Sequence, residues 1–298
     1  MKKCYKILAG VLMALALCGC GVKETSESVD VVVIQEAVPV VEEEVKVEAE
    51  EPEETTAVEE DEEMSEEASE AETVSEKIMT ETEKVFSEKN GYLVVIDAGH
   101  QQKGNSEKEP IGPGASEVKA KVSSGTTGVA TGLPEYQLNL KVALLLEEIL
   151  IERGYDVLQV RTTHEVNISN SERAAVANEA GADAFIRIHA NGSENASVNG
   201  VMTLCQTPSN PYNGQMYGES RRLSDCVLDA FVEKTGTKKQ RVWETDTMSG
   251  INWAMVPTTI VEMGYMSNAE EDQRMADEGY QKLMAEGMAD GIDRYFGR

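Results

Sequence analysis

The amino-acid sequence predicts an α/β fold: a single three-layer domain with a mostly parallel, twisted sheet flanked by helices, preceded by a disordered acidic tether. Three observations carry this. Over residues 91–298, apolar runs of strand length alternate with longer amphipathic stretches, the rhythm of βαβ units. Two of those runs, YLVVIDAGH (92–100) and DAFIRIHANGS (183–193), bring a histidine to the C-terminal end of a strand that reads as buried. Acidity is concentrated ahead of that region. Residues 21–90 carry 25 Asp/Glu against 5 Lys, whereas residues 91–298 carry 29 acidic against 19 basic residues, within a net charge of −27 over 298 residues.

The chain begins MKKCYKILAGVLMALALCGC, with Lys2, Lys3 and Lys6 ahead of an apolar stretch from Ile7 to Leu17. That stretch is short for a bilayer span and reads as a secretory signal over residues 1–20. Its end, Leu17-Cys18-Gly19-Cys20, resembles the lipobox of bacterial lipoproteins. The resemblance implies cleavage before Cys20, a lipid on that thiol, and a chain anchored to the cell membrane, extracytoplasmic and facing the cell wall. An ordinary secretory signal with a fortuitous cysteine is the alternative. Residues 21–90 repel themselves and offer too little apolar area to offset ordering entropy, so they read as a disordered linker. Fully extended they would reach about 230 Å. Such acidity excludes nucleic acid as a partner. Beyond Cys20, Cys205 and Cys226 read as two buried free thiols, with a disulfide left open because sequence does not fix connectivity.

The folded part, residues 91–298, suffices for one substantial core, with no internal repeat. Strands are predicted over 92–97, 155–161, 183–189, 201–206 and 258–263. Between the first two, PEYQLNLKVALLLEEILIERG is a helix: Pro134 suits a first turn, Glu135 favours the positive N-terminus, and Leu138, Val142, Leu145, Leu146 and Ile149 form an apolar face that ends at Gly154. NSERAAVANEAG (170–181) is a second, with Asn170 or Ser171 as cap and Gly181 as stop. A third covers 221–234, its opening Arg221-Arg222 pair reading as surface. One or two more cover 268–296, broken near Gly279. Residues 101–132 form one long loop, rich in Gly, Ser, Thr and Lys, that leaves from His100 and returns to Glu135; loops of such length are usually functional or mobile.

Ligands of open α/β sheets bind at the C-terminal strand edge, and His100 and His189 are both placed there. A shared metal ion is the reason these residue types would meet. A catalytic zinc site takes three protein ligands and keeps a position for water; Glu135, opening the helix that follows the long loop, fits as the third. Hydrolysis also needs a carboxylate that takes a proton without being a tight ligand. Glu262, interrupting the apolar run TTIVEMGYM, fits that part, since an unpaired carboxylate in a strand is costly. Plain helix-terminal charge and a buried ion pair remain the structural alternatives for Glu135 and Glu262. His164 reads as a loop histidine.

The set VVIDAGH, PEYQLNL, ERAAVAN with ADAFIRIHANG, and TIVEMGYMSN resembles the zinc-dependent N-acetylmuramoyl-L-alanine amidases of the type-3 catalytic family, over essentially all of residues 91–298. The resemblance implies hydrolysis of the amide between N-acetylmuramic acid and L-alanine in peptidoglycan. It implies zinc on His100, Glu135 and His189, and Glu262 as the catalytic carboxylate. Asn191 matches a position near the metal, and Arg173 and Asn178 match structural positions. Three departures bear on substrate fit. Gln101-Gln102 stand where the family often has glycines, Arg187 stands where a small residue is usual, and the long loop exceeds the common form. Arg187, Arg173 or loop lysines are candidates to meet carboxylates of the substrate peptide. Two other readings stay open: a zinc peptidase cutting within the stem peptide, and a lipoprotein that binds the cell wall without cutting it. Oligomeric state is not legible.

Overall fold

A computed structural model describes residues 89–298. The signal segment, Cys20 and the linker through residue 88 lie outside the described residues. The chain runs β1 (Leu93–Ala98), β2 (Asn105–Pro110), β3 (Val118–Val122), α1 (Glu135–Glu152), β4 (Asp156–Gln159), α2 (Asn170–Ala180), β5 (Ala184–Asn191) and β6 (Val201–Cys205). It continues through α3 (Tyr217–Thr235), β7 (Lys239–Glu244), a single turn α4 (Ser249–Asn252), β8 (Thr258–Tyr265), α5 (Ala269–Ala276) and α6 (Glu278–Phe296).

Six strands form one sheet in the order β4-β1-β5-β8-β6-β7. The first four are mutually parallel, β6 runs antiparallel to β8, and β7 is parallel to β6. β1 and β5 sit in the middle, which is why both read as nearly unbroken apolar runs: each is covered on both faces. On one face Val94, Ile96, Ile186, Ile188 and Val261 pack against α1, α3 and α6. On the other, Val95 and Phe185 pack against Ala174 and Ala177 of α2 and the segment after α4. The result is the three-layer, mostly parallel α/β domain expected.

α1 buries Leu138, Val142, Leu146 and Leu150, a strict four-residue stripe, while Leu145 and Ile149 lie at its margin. Each fully buried leucine contributes roughly 1.5–3 kcal/mol by leaving water. α2 is capped by Ser169, one residue ahead of the two expected caps. The Ser169 hydroxyl accepts from the Glu172 amide and the Glu172 carboxylate accepts from the Ser169 amide. Gly181 ends that helix at φ +63°, as its lack of a Cβ allows.

α3 begins four residues earlier than the apolar pattern suggests. The C-terminal helix breaks at Asp277, whose side chain caps α6 on the Tyr280 amide, two residues before Gly279. The long segment 101–132 is not a bare loop: β2 and β3 make an antiparallel hairpin. Cys205 is buried, Cys226 is half-buried, and both are free thiols.

Candidate functional site

β1 and β5 pair so that their C-terminal ends stand side by side, with the Gly99 amide donating to the Ile188 carbonyl at 2.9 Å. At this edge His100 and His189 meet. Gly99 is required between them: a Cβ there would stand 2.2 Å from the His189 ring. His100 itself has φ +60°, the one left-handed non-glycine among the described residues. Such a conformation costs of order 1 kcal/mol or more and persists where the surroundings fix it. Here Arg173 holds the His100 carbonyl at 3.0 Å and the Ser123 carbonyl lies 2.9 Å from His100 Nδ1. The Ser123 contact sets the proton on Nδ1 and leaves the Nε2 lone pair facing inward, the way metal-ligating histidines are oriented.

Glu135 opens α1 with no side-chain cap on Pro134. Its Oε1 lies 3.0 Å from His100 Nε2 and 3.3 Å from His189 Nδ1, and those two nitrogens are 3.2 Å apart. The remaining Glu135 contacts are donors: the amides of Thr126 and Ala190 at 2.9 and 3.1 Å, and the Asn139 side chain at 3.3 Å. Gly125, at φ +81°, brings the chain past this group; a Cβ there would stand 2.9 Å from Glu135 Oε2.

Burial alone would raise the Glu135 carboxyl, but the adjoining His100 and His189 side chains hold it well below the usual carboxylate range. Burial pushes His189 down to about 4 despite the Glu135 carboxylate, so its imidazole is neutral at pH 7. Two imidazole nitrogens and a carboxylate oxygen thus face one point, the only group of this kind among the described residues. They are His-rich and mixed with one carboxylate, as catalytic zinc prefers. On these counts the residues present fit a divalent ion such as zinc.

Glu262 stands beside His189 in the β5–β8 register. Its Oε2 is buried without a partner, and burial, with the Glu135 charge second, pushes the carboxyl up to about 8. No cation pairs with it among the described residues, which removes the ion-pair alternative. Glu262, His100, His189, Asn170, Arg187 and Gly250 line one cavity of about 520 Å³. The hairpin contributes Lys108, Val118, Lys119 and Ala120 to the same lining.

Beneath the site lies Asp97, fully buried, with Oδ1 2.6 Å from Arg173 and Oδ2 2.8 Å from Arg187. Arg173 also bonds Gln101 Oε1 at 2.9 Å, so the glutamine that departs from the family pattern ties the strand end to α2. Asn178 bonds the Trp253 carbonyl and the Met255 amide, a structural part. Asn191 lies past a register shift in β5, its Oδ1 accepting from Gly192 and its Nδ2 near Met202 Sδ, outside the cavity lining. His164 stacks edge-on to Tyr136 and is not in the metal-type group. Arg221 pairs with Asp225 and Glu244 on the surface.

Sequence reasoning passed over Asp97, Gly99, Ser123 and Asn139. Asn139 could have been found, since it lies one helical turn after Glu135 on the same face. Ser123 gave no signal, because only the hairpin's path brings its carbonyl to His100.

Comparison with known proteins bears on this arrangement. The sequence model of the N-acetylmuramoyl-L-alanine amidase family matches residues 94–294. The chain is 29% identical over 206 residues to the uncharacterized protein YqiI of Bacillus subtilis, covering 69% of this chain and 85% of YqiI. It is 27% identical over 168 residues to the N-acetylmuramoyl-L-alanine amidase LytC of the same bacterium, covering 56% of this chain and 32% of LytC. The structure of the N-acetylmuramyl-L-alanine amidase Ami1 of Mycobacterium smegmatis superposes with a TM-score of 0.63 at 25% identity, covering 71% of this chain and 99% of Ami1.

Proposed function

The chain belongs to the N-acetylmuramoyl-L-alanine amidase family, and from that premise we propose that it hydrolyses the amide between N-acetylmuramic acid and L-alanine in peptidoglycan, using zinc held by His100, Glu135 and His189. The observation that supports this reading is the meeting of those three donors, 3.0–3.3 Å apart, beside a buried and unpaired Glu262 in one cavity. Zinc in that group would polarise the scissile carbonyl and acidify a water.

The protein's own residues do the rest. Glu262 accepts the proton of the attacking water and returns it to the nitrogen of the departing L-alanine, the usual double duty of a general base that becomes an acid. A divalent cation held next to it would draw the carboxyl back toward the ionised form that takes the proton, and its buried, unpaired oxygen suits holding that proton until the amine leaves. Ser123 and Asn139 keep His100 and Glu135 in place, and the buried Asp97–Arg173 pair holds the turn that carries His100. Arg187 and Asn191 are the proposed substrate-side residues, Arg187 in the cavity lining and Asn191 outside it, past the register shift that follows His189.

The test is Glu262→Gln on isolated sacculi. Turnover should fall by about 10²–10⁴-fold while the melting temperature responds to chelator and zinc as in the wild type. Wild-type-like release by that variant would refute the role. The products decide the bond: an intact stem peptide with a free L-alanine amine supports an amidase, whereas shortened peptides support a peptidase. From the lipobox-like Leu17-Cys18-Gly19-Cys20 we propose separately that the chain works outside the cytoplasm, lipid-anchored through Cys20. Cys20→Ser should then move the protein from the membrane fraction to the soluble one.

A further inference from the structure

Arg187 is the cation that catalysis leaves without a task. Its Nε bonds Asp97 at 2.8 Å and its Nη2 bonds Asn170 at 3.0 Å, yet Nη1 has no hydrogen-bond partner among the described residues. The side chain is 2% exposed and lines the cavity. Gly250 makes room for Nη1: a Cβ at that position would stand 1.2 Å from it. Nη1 is not among the fully buried unpaired atoms, so this edge opens onto the cavity, where an anion can meet it.

The charge around it is lopsided. Arg187 shares Asp97 with Arg173, and Arg161, buried nearby, bonds only carbonyl oxygens. Three guanidinium groups therefore lie near a single carboxylate. Lys108 and Lys119 also line the cavity and add positive charge, and the one carboxylate in the lining is Glu262, beside His189 in the sheet register.

Spacing gives the site a meaning. Arg187 and His189 are two residues apart on β5 and share a face, so both side chains line the same cavity one strand repeat apart. In an extended peptide, the α-carboxylate of the second residue lies roughly 7 Å from the amide that precedes the first. We propose that Arg187 forms a carboxylate subsite, its Nη1 binding the free α-carboxylate of the second stem-peptide residue when the scissile amide sits at the His100–Glu135–His189 group. The proposal rests on the amidase reading for its substrate class. It makes the enzyme selective for peptides in which that carboxylate is not amidated, because a neutral carboxamide presents only one acceptor and no charge to the fork.

The experiment uses two synthetic N-acetylmuramoyl dipeptides, L-alanine followed by an acidic residue whose α-carboxyl is either free or a carboxamide. Wild-type kcat/KM should favour the free acid by about tenfold or more, the range of a charged hydrogen bond. Calorimetric Kd values on the Glu262→Gln protein should differ in the same sense. Arg187→Gln should bring the ratio of the two probes to about one. Equal rates and equal Kd for the pair overturn the subsite, as does failure of both to bind. If neither probe is cleaved but binding still favours the acid, the subsite stands and the amidase reading falls. Should Arg187→Gln fail to fold, the comparison of the two probes on wild type and Glu262→Gln decides alone.

Discussion

At the scale of single residues, the site is built on strain and on one buried charge. His100 sits at φ +60° because the turn after β1 must aim an imidazole back over the sheet edge, and Arg173 secures it by bonding the carbonyls of Ala98 and His100. Asp97 is what keeps Arg173 and Arg187 in place. Burial alone would raise its carboxyl, but the charge of Arg173, then that of Arg187, holds it well below the usual carboxylate range. A depressed carboxylate stabilises the fold above its unfolded-state value, near 3.8, and that contribution is lost as pH falls through the folded-state value. Asp97→Asn leaves two guanidinium groups short of their counter-charge and should cost about 3–5 kcal/mol in urea unfolding near pH 7. The gap between wild type and variant should hold from pH 7 to pH 5 and narrow below about pH 4. A gap unchanged at pH 3 would mean that the stabilisation does not come from the ionised carboxylate.

At the scale of elements, the hairpin of β2 and β3 converts a long connection into a cavity wall. It is pinned from outside its own strands: the Trp253 indole donates to the Pro110 carbonyl at 2.9 Å, and Lys119 donates to the Thr247 carbonyl at 2.6 Å. Trp253→Phe removes one pin while keeping an aromatic ring against the neighbouring core cluster. Amide exchange in 105–122 should quicken by roughly tenfold, matching about 0.5–1.5 kcal/mol for one hydrogen bond, while β1 and β5 amides stay protected. Equal quickening in β1 would show that the hairpin is not a separate opening unit. A second element-level test is Ser169→Ala, which removes one half of the α2 capping box and should lower stability by about 1 kcal/mol, or about 2–4 °C in melting temperature for a domain of this size. These two elements also show where sequence was legible. β1, β5, β8 and α1 were readable because burial writes itself as apolar runs and stripes. β2 (NSEKEP) and β7 (KQRVWE) were not, because the first is exposed on most of its length and the second is an edge strand whose exposed and half-buried residues alternate. An edge strand with charges turned outward resists pairing with other chains, and that protection hides it from a hydrophobicity reading.

At the scale of the whole molecule, His100, Glu135 and His189 come from the end of β1, the first turn of α1 and the end of β5, so only the intact core brings them together. The histidines and Glu262 were legible because a polar residue at the end of, or within, a buried strand stands out. Glu135 was legible because the long loop has to return to the same edge. An ion bound by such a group binds the folded chain and not the unfolded one, and stabilises it by about 4 kcal/mol when free metal is a thousandfold above Kd. At 2–4 °C per kcal/mol for a domain of this size, that is a melting shift on the order of 10 °C. Chelator should lower the melting temperature of the full-length protein by this order, and added zinc should restore it. The acidic segment 21–90, with 25 Asp/Glu, will hold divalent ions loosely on its own, so metal content alone is a poor witness. His189→Ala separates the two sources. It keeps every carboxylate of that segment but removes one donor from the group, and its melting temperature should no longer respond to chelator or zinc. If the wild type melts at the same temperature with and without chelator, or the variant responds as the wild type does, the three side chains do not hold a metal ion and the proposed zinc chemistry falls.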